Sequence, residues 1–263
     1  MLIKPKKSLG QNFLIDKNII KKILMLSKIN NCSVIEIGPG TGNLTDQILS
    51  YNPSNLILIE KDTSLAKVLE KKYINDSRVK IFNKDILSLN IEKIIEKNTI
   101  IFGNLPYNIS TQILIRFIRF KKWPPNYKKL IFMFQKEVAE RIFAKSKTSQ
   151  YGRLKIITNW RLKIIEKFNI SKNCFFPKPK VDSTILSFSP KKNKYKIKKI
   201  ENLEKITHAF FSKKRKMINK TFSKMFKNHL LIAKQLNLNL SLRPDQVSEN
   251  DFYKITEKFE LNN

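Results

Sequence analysis

A chain of 263 residues with 52 Lys and Arg against 21 Asp and Glu, a formal net charge of +31, is built to meet a polyanion. Hydrophobic residues at 41% suffice for one full domain and a smaller second one, while no stretch approaches the roughly 18 uninterrupted apolar residues of a membrane helix. Two cysteines, Cys32 and Cys174, and two histidines, His208 and His229, are too few for a zinc site or histidine-based acid–base chemistry, and the cysteines read as free thiols in a reducing cytoplasm. With no amphipathic membrane-binding helix evident, nucleic acid is the better partner.

The start, Met1-Leu2-Ile3-Lys4-Pro5-Lys6-Lys7, has charge but no apolar run behind it, so it does not read as a signal peptide. The first candidate strand, Ser33–Ile37, runs into the glycine turn Gly38-Pro39-Gly40-Thr41-Gly42, and a helical pattern (Leu44, Ile48, Leu49) comes next. Glycine lets a ligand touch the backbone. The spacing is G-x-G-x-G, not the G-x-G-x-x-G that seats a dinucleotide pyrophosphate. The acidic Glu36 just before it suits S-adenosylmethionine, which has no phosphate and carries a positive sulfonium. An ordinary strand-to-helix turn is the alternative for this segment alone.

The next strand, Asn55–Ile59, ends in Glu60, where a carboxylate would accept ribose hydroxyls. Strand Val79–Phe82 is followed by Asp85, which could accept a hydrogen bond from the cofactor's adenine amine. Strand Thr99–Phe102 opens into Gly103-Asn104-Leu105-Pro106-Tyr107. The Asn104 side-chain carbonyl and the Leu105 backbone carbonyl can accept from an exocyclic NH₂, and Pro106 holds that carbonyl outward. Tyr107 offers a flat face for a base. Such a clamp is what a methyltransferase acting on adenine N6 needs. Glycine turn, Glu60, Asp85 and Asn104 arriving in that order favour an S-adenosylmethionine site, with Glu60 and Asp85 as its carboxylate contacts.

Further strands are expected at Leu130–Phe134, Lys163–Phe168 and Ser183–Phe188, with helical patterns at Thr111–Phe120 and Lys136–Phe143. Pro177-Lys178-Pro179-Lys180 joins the last two strands without a helix, so they are expected to pair antiparallel. The whole predicts an α/β fold: a Rossmann-like seven-stranded S-adenosylmethionine-dependent methyltransferase sheet with a small C-terminal all-helical domain. The expected boundaries are 1–190 for the methyltransferase domain, a basic linker at about 190–196, and 197–263 for a helical RNA-binding domain. The cations Lys213, Lys214, Arg215 and Lys216 come after the pair Phe210-Phe211 at what reads as a helix start, and are expected to contact RNA phosphates.

These residues resemble the small-subunit ribosomal RNA adenine N6,N6-dimethyltransferase family. The resemblance runs from Lys7-Ser8-Leu9-Gly10-Gln11-Asn12-Phe13-Leu14 through Glu36–Thr45, Glu60–Asp62, Lys84–Leu87, Asn104–Tyr107, Phe134–Ala139, Tyr151–Leu154 and Cys174–Ser183 to Phe211–Lys216 and Arg243-Pro244. It implies cofactor contacts from Asn12, Leu14, Gly38, Glu60, Asp85 and Asn104, and a target adenine between Tyr107 and Phe175. It implies as substrate two adjacent adenosines in the 3′-terminal hairpin loop of small-subunit (16S) rRNA, dimethylated during late 30S assembly. Partners would be small-subunit rRNA and 30S assembly intermediates, with no membrane and no metal, the chain acting as a cytoplasmic monomer. Lys214 stands where the family usually has Arg, keeping the charge without the bidentate geometry. The rivals are a large-subunit resistance methylase and a non-catalytic RNA-binding factor; the intact Asn104, Tyr107 and cofactor glycines argue against the second.

Overall fold

The computed structural model describes residues 5, 6, 9–192 and 194–262. The N-terminal Met1–Lys4, the Lys7-Ser8 start of the N-terminal motif, Asn193 of the expected linker and Asn263 lie outside the described residues.

In chain order the elements are β1 (Phe13–Leu14), α1 (Lys17–Leu24), β2 (Ser33–Ile37), α2 (Asn43–Ser50), β3 (Asn55–Glu60), α3 (Thr63–Lys72), β4 (Val79–Asn83), β5 (Thr99–Gly103), α4 (Ser110–Ile118), β6 (Tyr127–Gln135), α5 (Lys136–Phe143), α6 (Arg153–Arg161), β7 (Leu162–Ile170), β8 (Phe175–Phe176), β9 (Ser183–Pro190), α7 (Ile200–Phe211), α8 (Asn219–Met225), α9 (His229–Leu236) and α10 (Glu249–Leu261). The contacts gather them into two units, residues 1–139 with 163–190, and 140–162 with 191–263.

The first unit is a seven-stranded sheet in the order β4-β3-β2-β5-β6-β9-β7. Strands β2 to β6 pair in parallel, and β9 runs antiparallel to β6. All five residues of β2, Glu36 included, and all five of β5 are buried. That is the pattern of parallel strands covered on both faces, where apolar runs replace alternation. Strand order reverses beside β2, so β2 and β5 open a crevice at their carboxyl ends, the usual place for a ligand in an open α/β sheet.

A second, two-stranded sheet went unseen in the sequence: β1 pairs antiparallel with β8, Phe13 opposite Phe176 and Leu14 opposite Phe175. Leu14 and Phe175 are buried in the core cluster with Ile23 and Ile185. This ribbon fixes the N-terminal segment.

The helical unit departs from the boundary drawn at 190. The sequence placed Tyr151–Leu154 in the methyltransferase domain; its contacts are with the C-terminal helices. The Tyr151 hydroxyl donates to the Val247 carbonyl (3.0 Å), Tyr253 donates to the Ile156 carbonyl (2.8 Å), and Lys155 pairs with Glu249 at 3.4 Å. Phe210 meets Phe252 edge-on at 5.6 Å, and Phe211 lies between Tyr151 and Phe252. The segment α6 is thus an excursion of the chain, hidden in sequence by its place between two sheet strands.

Candidate functional site

The crevice at the strand ends holds a cavity of about 150 Å³ whose walls include Asn12, Gly38, Gly40, Glu60, Asp85, Asn104, Leu105 and Tyr107. Parallel βα units bring together residues that the sequence scatters, because Gly38, Gly40, Glu60, Asp85, Asn104, Leu105 and Tyr107 stand at or beyond the carboxyl ends of β2 to β5, and Asn12, just before β1, joins them from the N-terminal segment. A smaller adjoining cavity of about 30 Å³ is lined by Leu14, Glu36, Gly38, Asn43 and Asn104.

Glycine is required at the turn after β2. Gly38 (φ +69°) and Gly40 (φ +59°) sit in the left-handed region that L side chains avoid. A Cβ on Gly40 would also come within 2.7 Å of the Phe13 ring. The backbone is therefore bare where it borders the cavity.

Glu60 ends β3 and is buried. Its carboxylate accepts the Gly40 N–H at 3.2 Å on one oxygen and the Asp62 N–H at 2.8 Å on the other. Burial raises its pKa, against the lowering effect of those two amides. The Lys61 N–H adds a third contact to the same carboxylate; of its roughly four acceptor positions, capacity remains for a ligand.

Asp62, not singled out from the sequence, is the hub beside it. Its side chain is only 1% exposed and accepts from Lys6 Nζ (2.8 Å), Gln11 Nε2 (2.9 Å) and the Ser64 N–H (2.9 Å). Burial raises its pKa, but the Lys6 and Gln11 contacts outweigh burial and hold it below the usual carboxylate range. Asp62 caps α3 and ties residues 9–13, which form one cavity wall, to the end of β3. The sequence signal for the cap was an Asp one residue before a helical pattern; nothing local announced Lys6 or Gln11 as its partners.

Asp85 accepts the Leu87 N–H at 2.9 Å and pairs with Lys61 at 2.9 Å. Partial burial raises its pKa, and the Lys61 ammonium brings it below the ordinary value. Arg116 of α4, also unforeseen, donates to the Leu87 and Leu89 carbonyls and so braces the loop that carries Asp85.

Asn104 donates from Nδ2 to the Asn12 carbonyl at 2.9 Å. That bond orients the amide so that Oδ1 is the acceptor it presents. Tyr107 is half-buried, and its hydroxyl is 2.6 Å from Ser183 Oγ; burial raises its pKa. Phe175 is not among the residues of either cavity wall; it packs with Leu14 in the core. Glu36 is 1% exposed, faces the smaller cavity and accepts the Thr45 hydroxyl at 2.6 Å, so it is not in the wall of the larger one.

In the helical unit the four-cation cluster lies in the turn between α7 and α8, not at a helix start. It borders an open groove of about 1030 Å³ with Phe211, Met217, Lys220 and Arg243. Lys213, Arg215 and Lys216 are exposed. Lys214 is half-buried, its ammonium donating to the Ser149 (2.6 Å) and Tyr151 (3.2 Å) carbonyls. Among the described residues no group of three His, Cys, Asp or Glu could hold a metal ion, and no helix is long and apolar enough to cross a membrane.

The fold is that of S-adenosylmethionine-dependent methyltransferases. The family profile described as "Ribosomal RNA adenine dimethylase" matches residues 3–260. A protein of Pelagibacter ubique named ribosomal RNA small subunit methyltransferase A is 44% identical over 99% of this chain and 98% of its own. One of the same name from a Wolbachia of Drosophila simulans is 36% identical over 95% and 92%. The crystal structure of a dimethyladenosine transferase from Plasmodium falciparum superposes with a TM-score of 0.79 at 26% identity, covering 94% of this chain and 97% of that one. The 23S rRNA methyltransferase ErmE, at 22% identity and a TM-score of 0.67 over 94% and 99%, shares the fold. The chain belongs to the ribosomal RNA adenine dimethylase family and is an rRNA adenine methyltransferase.

Proposed function

We propose that the chain transfers methyl groups from S-adenosylmethionine to N6 of two adjacent adenosines in the 3′-terminal hairpin loop of 16S rRNA, late in 30S assembly, as a cytoplasmic monomer. The small-subunit name carried by its relatives supports the choice of RNA. The residues present fit the cofactor: a buried carboxylate in the cavity wall with acceptor capacity left, a bare glycine backbone at Gly40, and a second carboxylate, Asp85, beyond the next strand. Glu60 would take the ribose hydroxyls, Asp85 the adenine amine, and Asn12, Leu14 and Gly38 the remaining contacts. The cofactor supplies a methyl group already activated on a sulfonium.

The protein's task is alignment and exclusion of water. The N6 lone pair is delocalised into the adenine ring. Accepting its N–H bonds at Asn104 Oδ1 and the Leu105 carbonyl favours a pyramidal, attacking nitrogen. Tyr107 stacks on the base, its ring held by the Ser183 contact; Phe175, which the resemblance offers as the second aromatic, is 3% exposed in the core and takes no part in this reading. Lys213, Arg215 and Lys216 would meet phosphates, joined by Lys220 and Arg243 of the same groove.

The observation that carries this reading is the Asn104–Asn12 bond, which fixes which atom of the amide accepts. Methyl transfer from labelled S-adenosylmethionine to 30S-type particles and, separately, to naked large-subunit rRNA, with mapping of the modified base, tests the substrate. Asn104→Ala should lower the rate by roughly 10²-fold or more, as for loss of one preorganised transition-state hydrogen bond, and leave RNA affinity nearly intact. Label on large-subunit rRNA alone, or near-normal turnover in the variant, refutes the proposal.

A further inference from the structure

The two-stranded ribbon has two faces. Residues directly opposite in an antiparallel pair project to the same side, and successive residues to opposite sides. Leu14 and Phe175 form one cross-strand pair and point into the core, at 5% and 3% exposure. The other face carries the pair Phe13 and Phe176. Phe13 packs on Gly40 and lines the cavity. Phe176, its direct partner, is 60% exposed.

A lone exposed aromatic is ordinary on a protein surface. This one is set apart by its register, since it stands on the cavity face beside a cavity-lining ring, and by the cationic segment that succeeds it in the chain. Pro177-Lys178-Pro179-Lys180 places two exposed cations within four residues; Val181, next in the chain, and Ile15, whose N–H donates to the Cys174 carbonyl beside β8, are exposed as well. Asp182, the acidic residue of this stretch, is engaged by the Lys172 N–H at 2.9 Å. An aromatic face interleaved with cations is the pattern that holds unpaired nucleotides: rings stack on bases and ammonium groups meet the backbone.

We propose that Phe176 is a stacking platform for the unpaired rRNA base next to the adenine being methylated, with Lys178 and Lys180 meeting the adjoining phosphates. The inference rests on the reading that the methylated adenosine lies in an unpaired stretch of rRNA. Stacking here is sequence-tolerant, so the site would steady the strand without choosing its base. It would also hold a neighbouring adenosine in place while the first is modified.

Phe176→Ala, Phe176→Trp and Phe176→Leu in the full chain test this, with steady-state methyl transfer to unmethylated 30S-type particles and calorimetric titration of S-adenosylmethionine. Alanine should raise KM for the particles by roughly 5- to 150-fold, the span of one base–aromatic stack. Tryptophan should restore KM, leucine should not, and cofactor affinity should stay within about twofold. Three results overturn the inference alone while the wild type remains active: unchanged KM in the alanine variant, restoration by leucine, or a matching loss of cofactor affinity. No transfer to any rRNA by the wild type overturns the functional reading and the inference with it.

Discussion

Glu36 sets a pH dependence that its replacement by glutamine should abolish. The carboxyl is 1% exposed and accepts a hydrogen bond from Thr45. Burial, only partly offset by that hydroxyl and reinforced by the nearby Glu60 and Asp46, pushes its pKa from 4.5 up to about 8. In the unfolded chain it ionises near its ordinary value. Below about pH 4.5 both states hold the proton and the group is neutral in the balance. Above that value the unfolded state releases the proton while the folded state keeps it, so folding stability falls as pH rises, until the folded pKa is passed. The slope approaches about 1.4 kcal/mol per pH unit, and the loss between pH 5.5 and 7.5 is about 2–3 kcal/mol. Glu36→Gln keeps an acceptor for Thr45 and has no proton to lose. Urea unfolding of both proteins should show nearly equal stability at about pH 4, and a gap in the variant's favour that widens by about 2–3 kcal/mol between pH 5.5 and 7.5. Parallel curves for the two proteins would refute this reasoning and mean that Glu36 is ionised in the folded state.

Two further predictions concern contacts that the sequence did not announce. Asp62→Ala removes the partner of Lys6 and Gln11 and the cap of α3. It should lower stability by about 1 kcal/mol and weaken binding of the demethylated cofactor product, read by calorimetry. Gln11→Ala should weaken that binding without the loss of stability, and unchanged affinity in both variants would detach the 9–13 wall from cofactor retention. Lys214→Met should lower stability by about 1–2 kcal/mol, because two carbonyls lose a charged donor, yet leave the salt dependence of RNA binding almost unchanged. Single alanine changes at Lys213, Arg215 or Lys216 should each flatten the log–log salt slope by about one. A comparable flattening at Lys214 would return it to the phosphate-binding set.

Much of the sheet was legible in the sequence because parallel βα units are written locally. The cores of all seven strands were marked by apolar runs, and Lys136–Phe143 emerged as a helix with the expected bounds. The glycine turn, Glu60, Asp85 and Asn104 could be placed at strand ends before any coordinate, since the end of an apolar run is itself a position in space once the strands are parallel. Tertiary structure decided the rest. The β1–β8 ribbon joins two-residue strands too short to show any period, and its register, which sends Phe175 inward and Phe176 outward, exists only once distant segments meet. Asp62 reads locally as a helix cap; only folding brings Lys6 to the capping oxygen and Gln11 to the other one. The allegiance of α6 and the engagement of Lys214 likewise depend on carbonyls and side chains contributed from elsewhere in the helical unit. Sequence determines the features that periodicity and the chemistry of neighbouring residues dictate. Partners brought together by chain closure, and the face each short strand turns to the site, are settled by packing alone.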